Sequence, residues 1–351
     1  MKKLLFGLFL ICSTAIAADN SIVIEDFTIA AGEEIVVDVI MNNDVTFTAF
    51  QFEVELPEGV SVKYDEDEEA YCVGKTGRLL NTHNIVSQYQ SSGTFKVMVY
   101  HNSNKNLKGN SGDPILTLTL VASDQVATGT YNMEISNIEM TAYDSSTQTA
   151  TKYKPENTNF DCTLQVKTRV TTLGYASFSW PKAIDFSESG LTAFIAKNCT
   201  GSSLKLVPVT KVPANTGLIL KGIAGSDNTY QLQTTEEETD DVSENILSSN
   251  TDGIYTVASD DIYVLSNLND GQPGFYRAAQ GIHVGQYKSY LQYSSSQSIE
   301  LYFDEEETTG ISIISNSQPT ADDMYYDLQG RRVSHPTTGV YILNGKKIIV
   351  K

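Results

Sequence analysis

The chain has 351 residues, and its 43 acidic against 24 basic side chains give a net charge of −19. A surface this acidic repels phosphate backbones and anionic lipid, which excludes nucleic acid and a peripheral membrane surface as partners. After residue 17 no apolar run approaches the roughly 20 residues of a membrane-spanning helix, so no integral membrane segment is expected.

Residues 1–17 read MKKLLFGLFLICSTAIA: two lysines, an apolar run from Leu4 to Ile11, then the small-residue site Ala15-Ile16-Ala17. This is the pattern of a secretory signal peptide cleaved after Ala17, and it predicts an extracellular or outer-surface location. Cys12 offers a rival reading as the acylated cysteine of a lipoprotein. Bulky Leu10 and Ile11 before it favour ordinary cleavage instead. Loss of Lys2 and Lys3 with the leader takes the net charge to −21. The rest of the chain suffices for roughly two domains and a tail.

Almost every apolar segment beyond the leader alternates with period two or forms a short β-branched run. Strands are predicted over Ser21–Asp26, Ile35–Met41, Phe50–Leu56, Phe95–Tyr100, Ile115–Val121 and Tyr131–Met140. In Phe50–Leu56 the Phe, Val and Leu side chains share one face, and Gln51, Glu53 and Glu55 share the other. Only Asp240–Leu247 suggests one or two helical turns. The predicted class is all-β: two β-sandwich-like domains, 18–167 and 168–308, a linker at 309–324, and a short β-hairpin module at 325–351.

Three resemblances follow from these segments. In 18–167, Ala31-Gly32-Glu33-Glu34 precedes the strand Ile35–Met41. Thr48-Ala49-Phe50-Gln51-Phe52 then runs into Leu56-Pro57-Glu58-Gly59-Val60. Ser111-Gly112 leads to Ile115–Val121, and Gly129-Thr130-Tyr131 opens a strand ending near Asn137-Ile138. This order resembles the cohesin-like branch of the jelly-roll sandwiches, and the resemblance implies partner recognition on a sheet face. Residues 168–308, with Val212-Pro213-Ala214-Asn215-Thr216-Gly217 as a turn between two strands, resemble an all-β module common in secreted Bacteroidetes proteins. Residues 325–351 (YYDLQGRRVSHPTTGVYILNGKKIIVK) resemble the sorting tail of proteins exported by the type IX system of Bacteroidetes. There Gly339–Ile342 and Ile348–Lys351 form a hairpin about Asn344-Gly345. About 30 residues supply only the closing strands of the full sorting domain, so another export route stays open.

Chemistry-bearing patterns are sparse. His83, His101, His283 and His335 form no HxH or HxxxH pair, and no metal is expected. Asp65–Glu69 lacks the interleaved Gly and Asn of a calcium loop and reads as a solvated turn. Lys75-Thr76-Gly77 has no SxxK partner, and there is no GxSxG elbow and no phosphate-cradling glycine loop. No cofactor and no enzymatic activity are expected. Cys72, Cys162 and Cys199 read as buried or half-buried thiols, with a Cys72–Cys162 bridge as the alternative. Phe178 and Trp180, two apart on a strand, suit a core face or a sugar platform, and tyrosines cluster at Tyr287, Tyr290 and Tyr293 and at Tyr325-Tyr326.

The expectation is therefore a secreted or surface-attached, non-catalytic binding and adhesion protein. Its partner would be a protein or a surface glycan. The candidate binding residues are Gln51, Glu53 and Glu55 on an outward strand face, with Asn102 and Asn104 in an Asn-rich loop. An accessory carbohydrate-binding component, a carbohydrate-active enzyme and a structural subunit of a surface assembly are the alternatives.

Overall fold

The computed structural model describes residues 20–225, 228–258, 261–267, 273–294 and 299–303, and the strands at 312–314, 325–326, 332–333, 339–343 and 346–350. The leader with Cys12, most of the 309–324 linker and the turn at Asn344-Gly345 lie outside the described residues. Those described are all-β, with no helix among them.

Fourteen strands run from Ser21 to Val170: β1 (Ser21–Ile24), β2 (Phe27–Ala30), β3 (Glu34–Asn42), β4 (Ala49–Val54), β5 (Val60–Val62), β6 (Tyr64–Asp65), β7 (Ala70–Tyr71), β8 (Val73–Lys75), β9 (Asn84–Tyr89), β10 (Phe95–Tyr100), β11 (Pro114–Ala122), β12 (Gly129–Asp144), β13 (Thr149–Tyr153) and β14 (Thr158–Val170). One sheet has the order β1-β3-β11, with β5 and β8 both on the free side of β11. The other runs β9-β10-β4-β12-β14, with β2 added parallel to β14 and β13 beside β12. Between them lies a dry core in which Phe50, Phe52, Phe95, Val97, Leu118 and Phe160 are almost fully buried. Each such side chain contributes about 1.5–3 kcal/mol by leaving water, which is why period-two alternation dictates the pairing of the sheets.

Two strands differ from their sequence-based limits. The segment Ser21–Asp26 ends at Ile24, and Phe27–Ala30 crosses to the opposite sheet, where Asp26 caps the turn by accepting from the Asp161 amide at 2.8 Å. The strand expected to end near Asn137-Ile138 continues to Asp144. Asn137 instead adopts a left-handed backbone, φ 50°, and bulges the strand; Asn tolerates that conformation better than most residues.

β14 spans the expected boundary at 167/168. Its first half pairs with β12, and Val166–Val170 pairs with β21 (Asn228–Thr234), so one ladder continues from the first body into the second. The remaining strands are β15 (Tyr175–Phe178), β16 (Ile184–Asp185), β17 (Thr192–Thr200), β18 (Ser203–Val209), β19 (Lys211–Val212), β20 (Leu218–Lys221), β22 (Leu247–Asn250), β23 (Tyr255–Thr256), β24 (Ile262–Ser266), β25 (Gly274–Arg277), β26 (His283–Val284), β27 (Lys288–Gln292) and β28 (Ile299–Phe303). A nine-stranded sheet runs β15-β20-β17-β18-β28-β25-β24-β27-β22. Ala193 and Ile195 pack toward β14 and β21, while Phe194 and Ala196 pack into the curl of the same sheet. Burial on both faces explains why this segment is continuously apolar and does not alternate.

The helical turns expected over Asp240–Leu247 do not form. Amides of the segment bond outward instead, Asp240 N to Lys211 O and Ile246 N to Ala196 O. Asp240 Oδ2 accepts from the Thr210 and Lys211 amides and Asn245 Oδ1 from the Ala196 amide, so the segment ties neighbouring strands rather than coiling on itself. At the C-terminal end β29 (Ser312–Ile314), β30 (Tyr325–Tyr326), β31 (Arg332–Val333), β32 (Gly339–Leu343) and β33 (Lys346–Val350) form a sheet, with Leu343 opposite Lys346 across the expected hairpin.

Candidate functional site

The outer face of the β9-β10-β4-β12 sheet carries a coherent set of side chains. β10 reads Phe95-Lys96-Val97-Met98-Val99-Tyr100; its odd positions fill the core, and its even positions face outward. Met98 lies opposite Gln51 on β4 and Val86 on β9, and Gln51 lies opposite Glu139 on β12. The adjacent row is Gln88, Lys96, Glu53 and Ser136. Tyr100 lies opposite Asn84. Val86, Met98 and Tyr100 are 49 %, 36 % and 37 % exposed, so three large apolar side chains meet solvent on two neighbouring strands. Polar residues flank them on β4 and β12.

Where β12 bulges, the face dips into a hollow of about 300 Å³ lined by Gln51, Glu53, Lys96, Asn137, Glu139 and Lys154. Lys96 Nζ stands 3.8 Å from Glu53, and Glu53 also accepts from Thr94 Oγ1 at 2.9 Å. Glu139 lies 2.7 Å from Lys152 and 3.9 Å from Lys154. The hydrogen bond from Lys152 holds the Glu139 carboxyl below its ordinary pKa. The face is thus charge-balanced. An acidic surface was expected from Gln51, Glu53 and Glu55, but cross-strand lysines that the β4 sequence does not contain neutralise it.

Of the candidate residues, Gln51 and Glu53 lie on this face. Glu55 lies past the end of β4, exposed, its amide bonded to Glu134 O. Asn102 joins the rim through a 3.4 Å contact with Asn84 Nδ2. Asn104 takes a left-handed backbone, φ 50°, and its amide closes a turn on His101 O. Val86, Met98 and Tyr100 were not singled out in the sequence, although Met98 and Tyr100 are apolar at the outward positions of an alternating strand.

The loops beside the face are tied from within. Arg78, 4 % exposed, donates to the carbonyls of Met41, Lys108 and Asp113 and to Asn43 Oδ1, all within 3.0 Å. His83 is buried; its Nδ1 accepts from the Leu80 amide, and Nε2 sits 3.2 Å from Lys105 O. Desolvation lowers its pKa and keeps the ring neutral. Lys75 of the Lys-Thr-Gly triplet donates to the carbonyls of Asn81 and His83, and Thr76 to that of Pro114 at the start of β11. Asp65–Glu69 form an exposed hairpin tip, with Asp65 Oδ1 accepting from the next amides. The described residues contain no group of three or more His, Cys, Asp and Glu that could hold a metal.

Elsewhere, Cys72, Cys162 and Cys199 are free thiols, and burial pushes Cys162 up to about 12. Phe178 and Trp180 stack with each other inside the core, which removes them as a sugar platform. Tyr287 packs on Trp180 at 4.4 Å and donates to Asp124 Oδ2 at 2.6 Å, linking the two bodies.

No protein-family model and no curated protein matches the chain. Among solved structures the chain is similar to the seventh ScaB type I cohesin from Pseudobacteroides cellulosolvens, at 17% identity and a TM-score of 0.34 over 41% of this chain and 90% of that one. A type I cohesin–dockerin complex from Clostridium thermocellum matches at 13% identity and a TM-score of 0.32, over 42% and 99%. A non-cellulosomal cohesin from Archaeoglobus fulgidus matches at 18% identity and a TM-score of 0.30, over 41% and 91%.

Proposed function

We propose that this is a secreted or surface-attached, non-catalytic binding protein whose first β-sandwich docks a protein partner on the outer face of β9-β10-β4-β12. The carrying observation is the apolar centre of Val86, Met98 and Tyr100, flanked by hydrogen-bonding and paired charged groups. An apolar centre with a polar rim is the layout of a protein interface, and a stable one covers about 800 Å² on each partner. A protein partner suits the face better than a glycan, because its exposed apolar centre is mostly aliphatic, Val86 and Met98 beside Tyr100, where a sugar platform would present stacked aromatic rings. Secretion rests on the Met1–Ala17 pattern, and the C-terminal segment acts as a sorting module in this reading.

The test is affinity capture by the full mature chain from the medium and cell surface of the source culture, beside Met98→Glu and Val86→Glu. A protein retained by the wild-type chain and lost from both variants is the expected result. Equal retention by all three chains, or retention of no protein, overturns the proposal.

A further inference from the structure

The nine-stranded sheet of the second body curls until β15 approaches β27, but no backbone ladder joins those two strands. Side chains and single backbone bonds tie the seam: the Ser179 amide donates to Tyr287 O, Ser179 Oγ to Lys288 O at 3.0 Å, and Ser289 Oγ to Leu218 O at 2.7 Å. Asn250 Nδ2 holds the adjoining turn by donating to Val284 O and Gly285 O. A ladder would bring strands to about 4.8 Å; this looser closure leaves a cleft of about 520 Å³ beside the seam, within the size range of small-molecule sites.

The lining of that cleft departs from the rest of the chain. Acids outnumber bases almost two to one overall, yet the described lining residues include Arg169, Lys288 and His283 and no Asp or Glu. Arg169 Nε is anchored on Thr229 Oγ1 at 3.2 Å, leaving the terminal guanidinium nitrogens without a protein partner among the described residues. Lys288 likewise has no ion pair there. It is open to solvent on one side, and the cleft wall on the other desolvates it and lowers its pKa. Two cations on the wall of one recess, with no counter-ion among the described residues, offer an anion from outside a favourable place to bind. At a Debye length of about 8 Å the distant acids barely oppose its approach.

Val264, Leu265 and Ile282 supply an apolar wall to the same cleft, and Ile282 is 46 % exposed. We propose that this cleft binds an organic carboxylate with an apolar body, its carboxylate held by Arg169 and Lys288 and its body against Val264, Leu265 and Ile282. A bare inorganic anion leaves that wall wet, and a neutral apolar molecule leaves both cations unpaired. The site is separate from the docking face of the first body, so either proposal can fail alone.

The experiment is calorimetric titration of the full mature chain with 1-naphthoate, 1-naphthalenemethanol and acetate. Saturable one-to-one binding of naphthoate is expected, about tenfold or more tighter than either of the others. Lys288→Met and Arg169→Met should each weaken naphthoate about tenfold, the worth of one hydrogen bond to a charged group, and leave the alcohol unchanged. Lys288→Arg should retain naphthoate affinity, which separates loss of charge from loss of fold, and Met98→Glu should not alter it. Absence of saturable naphthoate binding, equal affinity for the alcohol, or unaltered naphthoate affinity in both methionine variants overturns the proposal.

Discussion

The first body and the second close their sheets differently, and the difference sets what each can recognise. In the first, two complete ladders face each other across a core of Phe, Val and Leu, so the interior offers no room and recognition is left to a face. In the second, one long sheet curls on itself and is fastened at its seam by Ser179, Ser289 and Asn250, which leaves a recess. Ladder closure gives a flat surface suited to another macromolecule; side-chain closure gives a concavity suited to a small one.

The largest effect should break the first body. Arg78→Met strips the Met41, Lys108 and Asp113 carbonyls of a buried donor and leaves Asn43 unpaired. A loss of about 3–5 kcal/mol is expected, read as a fall in the urea midpoint followed by the first-body signal. Retention of the wild-type midpoint would show that the loops are held by something else.

The counterpart in the second body is Gly174→Ala. Gly174 has φ 80°, and an added Cβ would lie 2.8 Å from Gly222 O, in the loop that walls the cleft. A cost of about 2 kcal/mol is expected, with weakened naphthoate binding as the accompanying readout. Tyr287→Phe should sharpen the comparison by removing a single one of the hydrogen bonds that cross between the bodies. A loss of about 1–2 kcal/mol, with the two bodies melting further apart in calorimetry, is the outcome that fits. Unchanged coupling would place the linkage in the β14 ladder and in the bonds of Thr128 to Gln233 and Thr234.

Met98→Glu should change stability by less than about 0.5 kcal/mol, because the side chain already meets water, while abolishing partner capture. The smallest effect is a pH dependence. Because the folded pKa of His83 lies below its unfolded value, its contribution to stability is complete above about 6.5 and declines as pH falls toward the folded value. Urea midpoints at pH 7.5 and 5.5 should differ more in the wild-type chain than in His83→Gln; equal slopes would assign the effect to other groups.

Much of the fold was legible from alternation. Phe50–Leu56 and Phe95–Tyr100 identified their own inward faces, and the all-β class follows from them. The β2 crossover was not legible: the pattern gave one strand over Ser21–Asp26 and none over Phe27–Ala30, and only the bond from the Asp161 amide to Asp26 and the parallel pairing with β14 show the chain changing sheets there. The candidate face was half legible: the parity of β4 placed Gln51 and Glu53 outward, but their partners arrive from β10 and β12. Phe178-Ser179-Trp180 alternates as a platform strand would, and only packing against Phe186 and Tyr287 shows it to be core.

By itself the sequence determined the strand-forming segments, the inward side chains of each and the acidic balance of the whole, since these depend on local periodicity and composition. Tertiary structure alone decided that Glu53 of β4 meets Lys96 of β10 and Glu139 of β12 meets Lys152 of β13, that Val86 joins Met98 and Tyr100 on one surface, and that Arg169 and Lys288 share a cleft. Those juxtapositions join residues from about a dozen to more than a hundred positions apart, and strand register and sheet curvature, which no local pattern encodes, bring them together.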